Sequence, residues 1–141
     1  MNPRDDAGAV AVEAAILAPA LLLILALLMF GGRNAIATGA VEQAAVDAAR
    51  AASLARAGAQ ADTAARDAAA RSLADQDLDC ATITIQVDTS GFRTRPGQSA
   101  SVDTTVTCLL RLSDLALPGL PGSKRISATA VSAVDTYRER R

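Results

Sequence analysis

The sequence predicts an α+β chain, in which a long N-terminal transmembrane helix continues into an Ala-rich helix and is followed by a small antiparallel sheet of about three strands. Residues 14–30 form an apolar run interrupted only by Pro19, and after Cys80 the hydrophobic period changes to two. We expect four segments, which are a leader at 1–8, a transmembrane helix at 9–32, an Ala-rich helix at 33–78 and a β-domain at 79–141.

Composition excludes several classes of function. The 141 residues include no histidine, so the chain has no Ser/His/Asp or Cys/His pair and no imidazole metal ligand. Two cysteines alone cannot complete a structural zinc site, and no Gly-rich phosphate loop followed by Lys occurs. With 14 basic and 15 acidic residues, the chain has no general attraction for nucleic acid. We therefore expect no enzyme, no cofactor, no metal site and no nucleic-acid partner.

The apolar segment has the length of a membrane span. Residues 14–32 are 19 in number, and as helix they would extend about 28 Å, close to the hydrocarbon thickness of a bilayer. Glu13 stands at the edge of this segment. Pro19 either kinks or unwinds the helix, or is tolerated in lipid without a function.

Residues 34–76 are rich in Ala, with charges at helical i,i+3 and i,i+4 spacings, and this composition strongly favours a helix. We expect that helix to continue outward from the membrane. Its larger apolar residues are sparse, so its buried face is narrow and needs a close-packed neighbour. Gly39 and Gly58 are the positions most favourable to a bend.

The β-domain begins with an alternating strand in which Ile83, Ile85 and Val87 share one face. A turn-rich stretch separates it from a second strand at 101–110, and a third β-compatible run covers 126–134. On the second strand four apolar residues share a face, namely Val102, Val106, Cys108 and Leu110. The leucines between the second and third runs form a loop too apolar to be wholly solvated, at Leu112, Leu115, Leu117 and Leu120.

The chain resembles type IV pilins in the order of its parts. These are a short polar leader ending in Gly, a Glu five residues later, a long apolar helix and a C-terminal sheet. More narrowly, the chain resembles the TadE-like family of the tight-adherence (Tad/Flp) pilus machinery. The resemblance is carried by the Ala/Arg-rich segment 44–52, by the closing strand at 127–131, and by Gly8, Val12, Glu13 and Pro19.

The resemblance implies that a prepilin-type peptidase cuts after Gly8 and leaves Ala9 with a free amine. In pilin assembly a Glu at the position of Glu13 neutralises the amine of an adjacent subunit. An unpaired carboxylate at the centre of a membrane helix costs about 2.5 to 3.5 kcal/mol on insertion scales, so pairing favours the correctly registered assembly. The alternative is that Glu13 lies at the headgroup level and has no role in assembly.

The implied function is that of a minor pilin or assembly component of a Tad/Flp-type pilus, without catalysis of its own. The implied partners are the membrane, the prepilin-type peptidase and other pilin-like subunits. We expect a single-pass protein of the cytoplasmic membrane, with a cytoplasmic N-terminus and an extracytoplasmic C-terminal domain. The alternative function is a membrane-anchored extracytoplasmic binding module unrelated to pili, with the sheet and the leucine-rich loop as its recognition surface. The C-terminal run 138–141 is expected to be solvated.

A second alternative treats residues 1–37 as a secretory signal peptide, because residues 35–37 have the small-x-small form of a cleavage site. The leader argues against it, since Arg4 is outnumbered by Asp5 and Asp6 where a signal peptide has a positive region. One arginine lies on each side of the span, Arg4 before it and Arg33 after it, so the excess of positive charge does not decide the orientation in the membrane. The expected orientation therefore rests on the resemblance and on the cysteines.

Cys80 and Cys108 lie beyond the span, in the segment expected outside the cytoplasm, where disulfides persist. A bond between them would close a loop of 28 residues and contribute about 3.5 kcal/mol to stability. Cys80 shares parity with the polar Thr82 and Thr84, so a bend before Ile83 is needed. The alternatives are two buried free thiols or an intermolecular bridge.

We predict that the mature protein begins at Ala9, because Gly8 precedes the apolar run and Glu13 is the fifth residue after it. Intact mass of protein purified from membranes measures this directly. Cells that lack the prepilin peptidase provide the control, in which residues 1–8 remain attached. Retention of these residues in cells with an active peptidase would contradict the prediction, and a start at Thr38 would establish the signal peptide.

Overall fold

The predicted α+β order and the three-stranded antiparallel sheet are confirmed. A computed structural model describes residues 3–95, 97–111 and 122–137, with side chains described from residue 12 onward. The elements are α1 (Pro3–Ser53), α2 (Gly58–Asp75), β1 (Thr82–Asp88), a short 3-10 helix (Ser90–Arg93), β2 (Ala100–Arg111) and β3 (Ser123–Val134). The predicted leucine-rich loop at 112–120 and the C-terminal run at 138–141 lie outside the described residues.

The Ala-rich segment forms two helices, whereas the sequence predicted a single helix over 33–78. Helix α1 passes through Gly39 without a break and ends at Ser53, whose hydroxyl donates to the carbonyl oxygen of Arg50 at 2.9 Å. The chain then turns and α2 begins at Gly58, one of the two predicted bend positions. A Cβ at that glycine would lie 3.2 Å from Oγ1 of Thr89, so a small residue lets the start of α2 approach the sheet.

The narrow apolar face of the Ala-rich segment needs a close-packed neighbour. Reversal of the chain after Ser53 provides one, because α1 and α2 bury alanines against each other. Small side chains let the two helix backbones come close. The hydroxyl of Ser72 also donates to Oδ2 of Asp47 at 2.8 Å, which ties α2 to α1. On α1 the buried alanines are Ala37, Ala40, Ala44, Ala45, Ala48, Ala49 and Ala52, and on α2 they are Ala61, Ala65 and Ala69.

The sheet has the order β1-β2-β3, and both pairings are antiparallel. In register, Ile83 lies opposite Cys108, which lies opposite Ile126. Strand β2 alternates regularly between buried and partly exposed residues, which confirms the predicted apolar face. The helices cover that face, where α1 packs on β2 and β3 while α2 contacts β1.

One buried polar group interrupts this apolar face. Thr104 lies on β2 between Val102 and Val106, is fully buried, and its Oγ1 has no hydrogen-bond partner among the described residues. A buried hydroxyl without a partner costs about 1 to 3 kcal/mol. This residue is therefore a weak point in the core.

We predict that Thr104→Val raises the free energy of unfolding by about 1 kcal/mol, because it removes the unpaired hydroxyl and keeps the branched shape. Thermal or urea unfolding of the full chain in detergent, followed by circular dichroism, measures the change. Thr105→Val is the matched control, since that hydroxyl lies on the other face and is hydrogen-bonded to Thr129 at 2.8 Å. A Thr104→Val variant less stable than the wild type would contradict the prediction.

Candidate assembly helix and its junction with the folded body

The N-terminal half of α1 projects as an apolar helix from the rest of the described structure. We call that rest, which comprises the described residues from Asn34 onward, the body. Every residue at positions 12–29 is exposed. Apart from Glu13, this surface has no polar side chain that could face water, so it requires lipid or protein all around. Its large exposed side chains are Val12, Ile16, Leu17, Leu21, Leu22, Leu23, Ile24, Leu25, Leu27, Leu28 and Met29.

The ends of this apolar surface are marked by charge. Glu13 and Arg33 enclose residues 14–32, none of which is ionisable. Among the described residues, α1 is the one helix long and apolar enough to cross a membrane. These properties are compatible with single-pass anchoring.

The four residues predicted for processing and assembly all lie on α1, but they do not form a cluster. Gly8 and Ala9 are part of the helical backbone, so the predicted cleavage position lies within the helix. Glu13 and Pro19 are six residues apart, a rise of about 9 Å, and they occupy different sides of the helix. Pro19 has no N–H to donate to the carbonyl of Ala15, yet the helix continues through it.

The body begins within one turn of the apolar segment. Asn34 is partly buried and accepts a hydrogen bond at Oδ1 from Nζ of Lys124 at the start of β3. Ala37 is the first core residue on α1. This junction was not predicted, because its two polar partners are 90 residues apart and no local pattern connects them.

A cavity of about 250 Å³ lies beside this junction. It is formed where α1 enters the body, between the C-terminal end of α2 and the end of β2. Apolar groups and charged groups both contribute to it, and the residues that line it include Arg33, Ile36, Ala37, Gln76, Leu78 and Leu110. The end of the body nearest the apolar helix is therefore concave.

Cys80 and Cys108 are joined by a disulfide, with their Cα atoms 5.4 Å apart. The bend that the sequence required occurs at Ala81, whose N–H donates to the carbonyl oxygen of Leu109 at 2.7 Å. Cys108 is fully buried on the core face of β2. The bond thus fastens the linker between α2 and β1 to the centre of the sheet.

Two carboxyl groups outside the apolar segment have a lowered pKa. Both lie on the surface, and a local hydrogen bond causes the change in each case. Arg66 donates to Asp62 at 2.8 Å, and this hydrogen bond lowers the pKa of the Asp62 carboxyl. The backbone N–H of Ser90 donates to Asp88 at 2.8 Å and lowers the pKa of that carboxyl. Within the described residues, no group of three or more His, Cys, Asp or Glu side chains could hold a metal ion.

A family model described as TadE-like protein matches residues 8–50 and confirms the resemblance. The matched range contains the whole apolar segment with Gly8, Glu13 and Pro19, and it ends three residues before α1 does. The sheet lies outside the match. No curated protein and no solved structure matches the chain.

We predict that thiol labelling of the denatured, unreduced protein modifies neither cysteine, and that labelling after reduction modifies both. Replacing the pair, Cys80→Ala with Cys108→Ala, should lower the free energy of unfolding by about 3.5 kcal/mol, because the unfolded chain regains the entropy of the open loop. The reduced wild type is the control and should lose a similar amount. Two reactive thiols in the unreduced protein would contradict the disulfide.

Proposed function

We propose, from the match of residues 8–50 to the TadE-like family, that the chain is a minor pilin or assembly component of a Tad/Flp-type pilus. In this proposal the chain is anchored in the cytoplasmic membrane and associates through the N-terminal half of α1. The observation that carries the proposal is that α1 is apolar on all sides over residues 14–29 and then continues without a break into the core of the body.

The same surface suits two environments in succession. In the membrane, lipid tails cover the large exposed side chains of α1. In an assembly, helices of other pilin-like subunits replace the lipid, and small residues permit the close backbone approach that such packing requires. Gly31 and Gly32 have open space around their Cα atoms, so a neighbouring helix could approach there closely.

Glu13 supplies the register in this proposal. A prepilin-type peptidase cuts after Gly8, and the new amine of Ala9 carries a positive charge. The carboxylate of Glu13 is costly in lipid when it has no partner, and the amine of a neighbouring subunit removes that cost. Only one axial offset between two α1 helices brings the two groups together, so the pair selects that offset.

The alternative function, a membrane-anchored binding module unrelated to pili, is favoured by the outer face of the sheet. An open groove of about 500 Å³ crosses the three strands there. Its lining is rich in hydroxyl groups, and the hydroxyls of Thr107 and Ser127 are hydrogen-bonded at 2.9 Å. Genes for a secretion ATPase, inner-membrane platform proteins and a prepilin peptidase beside the gene for this chain would favour the pilus over this alternative.

We predict that Glu13→Ala leaves membrane insertion intact or improved while pilus assembly is impaired. The substitution removes the cost of the charge in lipid, which is about 2.5 to 3.5 kcal/mol when the group is unpaired at the centre of the span, and it also deletes the partner of the amine. Membrane fractionation measures insertion, and electron microscopy of surface pili measures assembly.

The matched control is Glu42→Ala, which removes an exposed glutamate from the same helix within the folded body. This control should assemble like the wild type. Normal piliation of Glu13→Ala at wild-type abundance would reduce Glu13 to a residue at the membrane boundary and would contradict its role in assembly.

A further inference from the structure

We propose that copies of this chain in one membrane associate side by side, with β3 of one copy pairing in parallel with β1 of the next. The occupant of each outer edge of the sheet is thus a second copy of the same chain. This inference rests on the proposed function only in requiring that α1 anchors all copies in the same orientation. It assigns the folded body an interface separate from the apolar helix.

The first support is that the two outer strands carry few of the features that usually protect an exposed sheet edge. Among the described residues, the sheet ends at β1 on one side and at β3 on the other. Exposed edge strands are usually protected by charges, prolines or bulges, because their unpaired N–H and C=O groups can accept another strand. Residues 126–134 of β3 have none of these charges or prolines, and the exposed apolar residue Val131 lies among them. On β1 the one charge is the terminal Asp88, and Ile83 is 42% exposed.

The second support is strand direction. Both β1 and β3 pair antiparallel to β2, so they run parallel to each other. Copies with the same orientation in a membrane can therefore continue the sheet only by a parallel contact between β3 and β1. A symmetric antiparallel contact between two β3 strands needs a two-fold axis perpendicular to the sheet. That axis would reverse α1, which packs against the face of the sheet, and would place the two anchors on opposite sides.

The third support is charge. Three exposed carboxylates precede β1 at the C-terminal end of α2, and we call them the acidic corner: Asp75, Asp77 and Asp79. At the opposite edge of the sheet, Lys124 and Arg125 are the second and third residues of β3, and we call them the basic corner. Arg125 lies level with Leu109 and Thr82, so both corners are at the end of the body nearest the apolar helix. Parallel addition of a copy brings one corner against the other.

The alternation of side chains along β1 and β3 restricts how β3 of one copy can be aligned with β1 of the next. Thr82 and Thr84 face outward on β1, as Ser127 and Thr129 do on β3. If Ser127 lies beside Thr82 of the next copy, Thr129 lies beside its Thr84 and the outward faces coincide. Lys124 and Arg125 then lie beside Asp79 and Cys80 of that copy, so both cations are next to the carboxylate of Asp79. The hydroxyl-rich outer face would continue from one copy to the next.

Cysteine cross-linking of the full chain in membranes tests this contact. The double variant Thr84→Cys with Thr129→Cys should give dimers, trimers and higher species on a non-reducing gel after mild oxidation. Each single variant should remain mostly monomeric, and mixing the two single variants should give dimers alone. Thr107→Cys with Thr129→Cys is the matched control, because Thr107 lies on the central strand and faces no neighbouring copy. Mass mapping must find Cys80 still bonded to Cys108.

Charge reversal then tests the corners. Arg125→Glu, added to the double cysteine variant, should lower the cross-linked fraction about fivefold, because an attraction between exposed charges becomes a repulsion. Adding Asp79→Arg should restore part of the fraction, because Arg at position 79 attracts Glu at position 125 while the unchanged Lys124 opposes it. Lys124 is left unchanged because it holds Asn34. Higher salt should weaken the cross-linking of the parent variant.

Three results would overturn the proposal. The first is a ladder of cross-linked species no stronger than that of the Thr107→Cys control. The second is dimers from Thr129→Cys alone. The third is a cross-linked fraction that falls with Arg125→Glu and does not rise again with Asp79→Arg. The readout is independent of the pilus. A ladder in membranes of cells that form no pili would support the contact even if the chain has no role in a pilus, and normal pili without a ladder would reject the contact alone.

Discussion

The fold depends on one surface, the Ala-lined face of α1 between Ala37 and Ala52. Both α2 and the sheet pack against this part of α1, so the position of every other element is set by it. Alanine makes the close packing possible, but it offers little area, and the hydrophobic contribution of each residue is correspondingly small. A body of this size with few large core residues therefore needs further constraints.

Those constraints are distributed over the body. The disulfide holds the entry to β1 against the buried part of β2. At the far end of the helix pair, the hydroxyl of Ser132 on β3 donates to the hydroxyl of Ser53 at 3.0 Å. Asp47 accepts from Ser72 across the helix interface. Each of the two hydrogen bonds is modest by itself, but they connect α1 to β3 and to α2, and the disulfide contributes the larger constraint within the sheet. The buried hydroxyl of Thr104, which has no hydrogen-bond partner among the described residues, is the exception.

A continuous α1 has mechanical consequences for the proposed function. The apolar segment and the core segment are one helix, and Lys124 fastens the helix to β3 next to the last residues of the span. A force or a rotation applied to the span therefore reaches the body without passing through a linker. The two charged corners lie at this same end of the body, so packing of neighbouring spans and contact between neighbouring sheets would favour each other.

The sequence alone determined the features that depend on local pattern. Residues 14–32 lack charge over a membrane length, which specified an apolar helix long enough to cross a bilayer. Strict alternation specified the inward face of β2, and a chain with two cysteines allows one internal pair. The resemblance around Gly8, Glu13 and Pro19 was also readable, because those residues lie close together in the sequence.

The tertiary structure decided where the Ala-rich segment folds back and what it packs against. Alanine favours helix at every position, so its pattern marks neither the end at Ser53 nor the direction of α2. The gain from burying one Ala face on another exists only after the chain has reversed. Three other features also depend on residues that are distant in sequence. These are the contact between Lys124 and Asn34, the burial of Thr104 and the opposite charges at the two sides of the sheet. Local pattern determines which face of an element is apolar, but which partner covers that face depends on long-range packing.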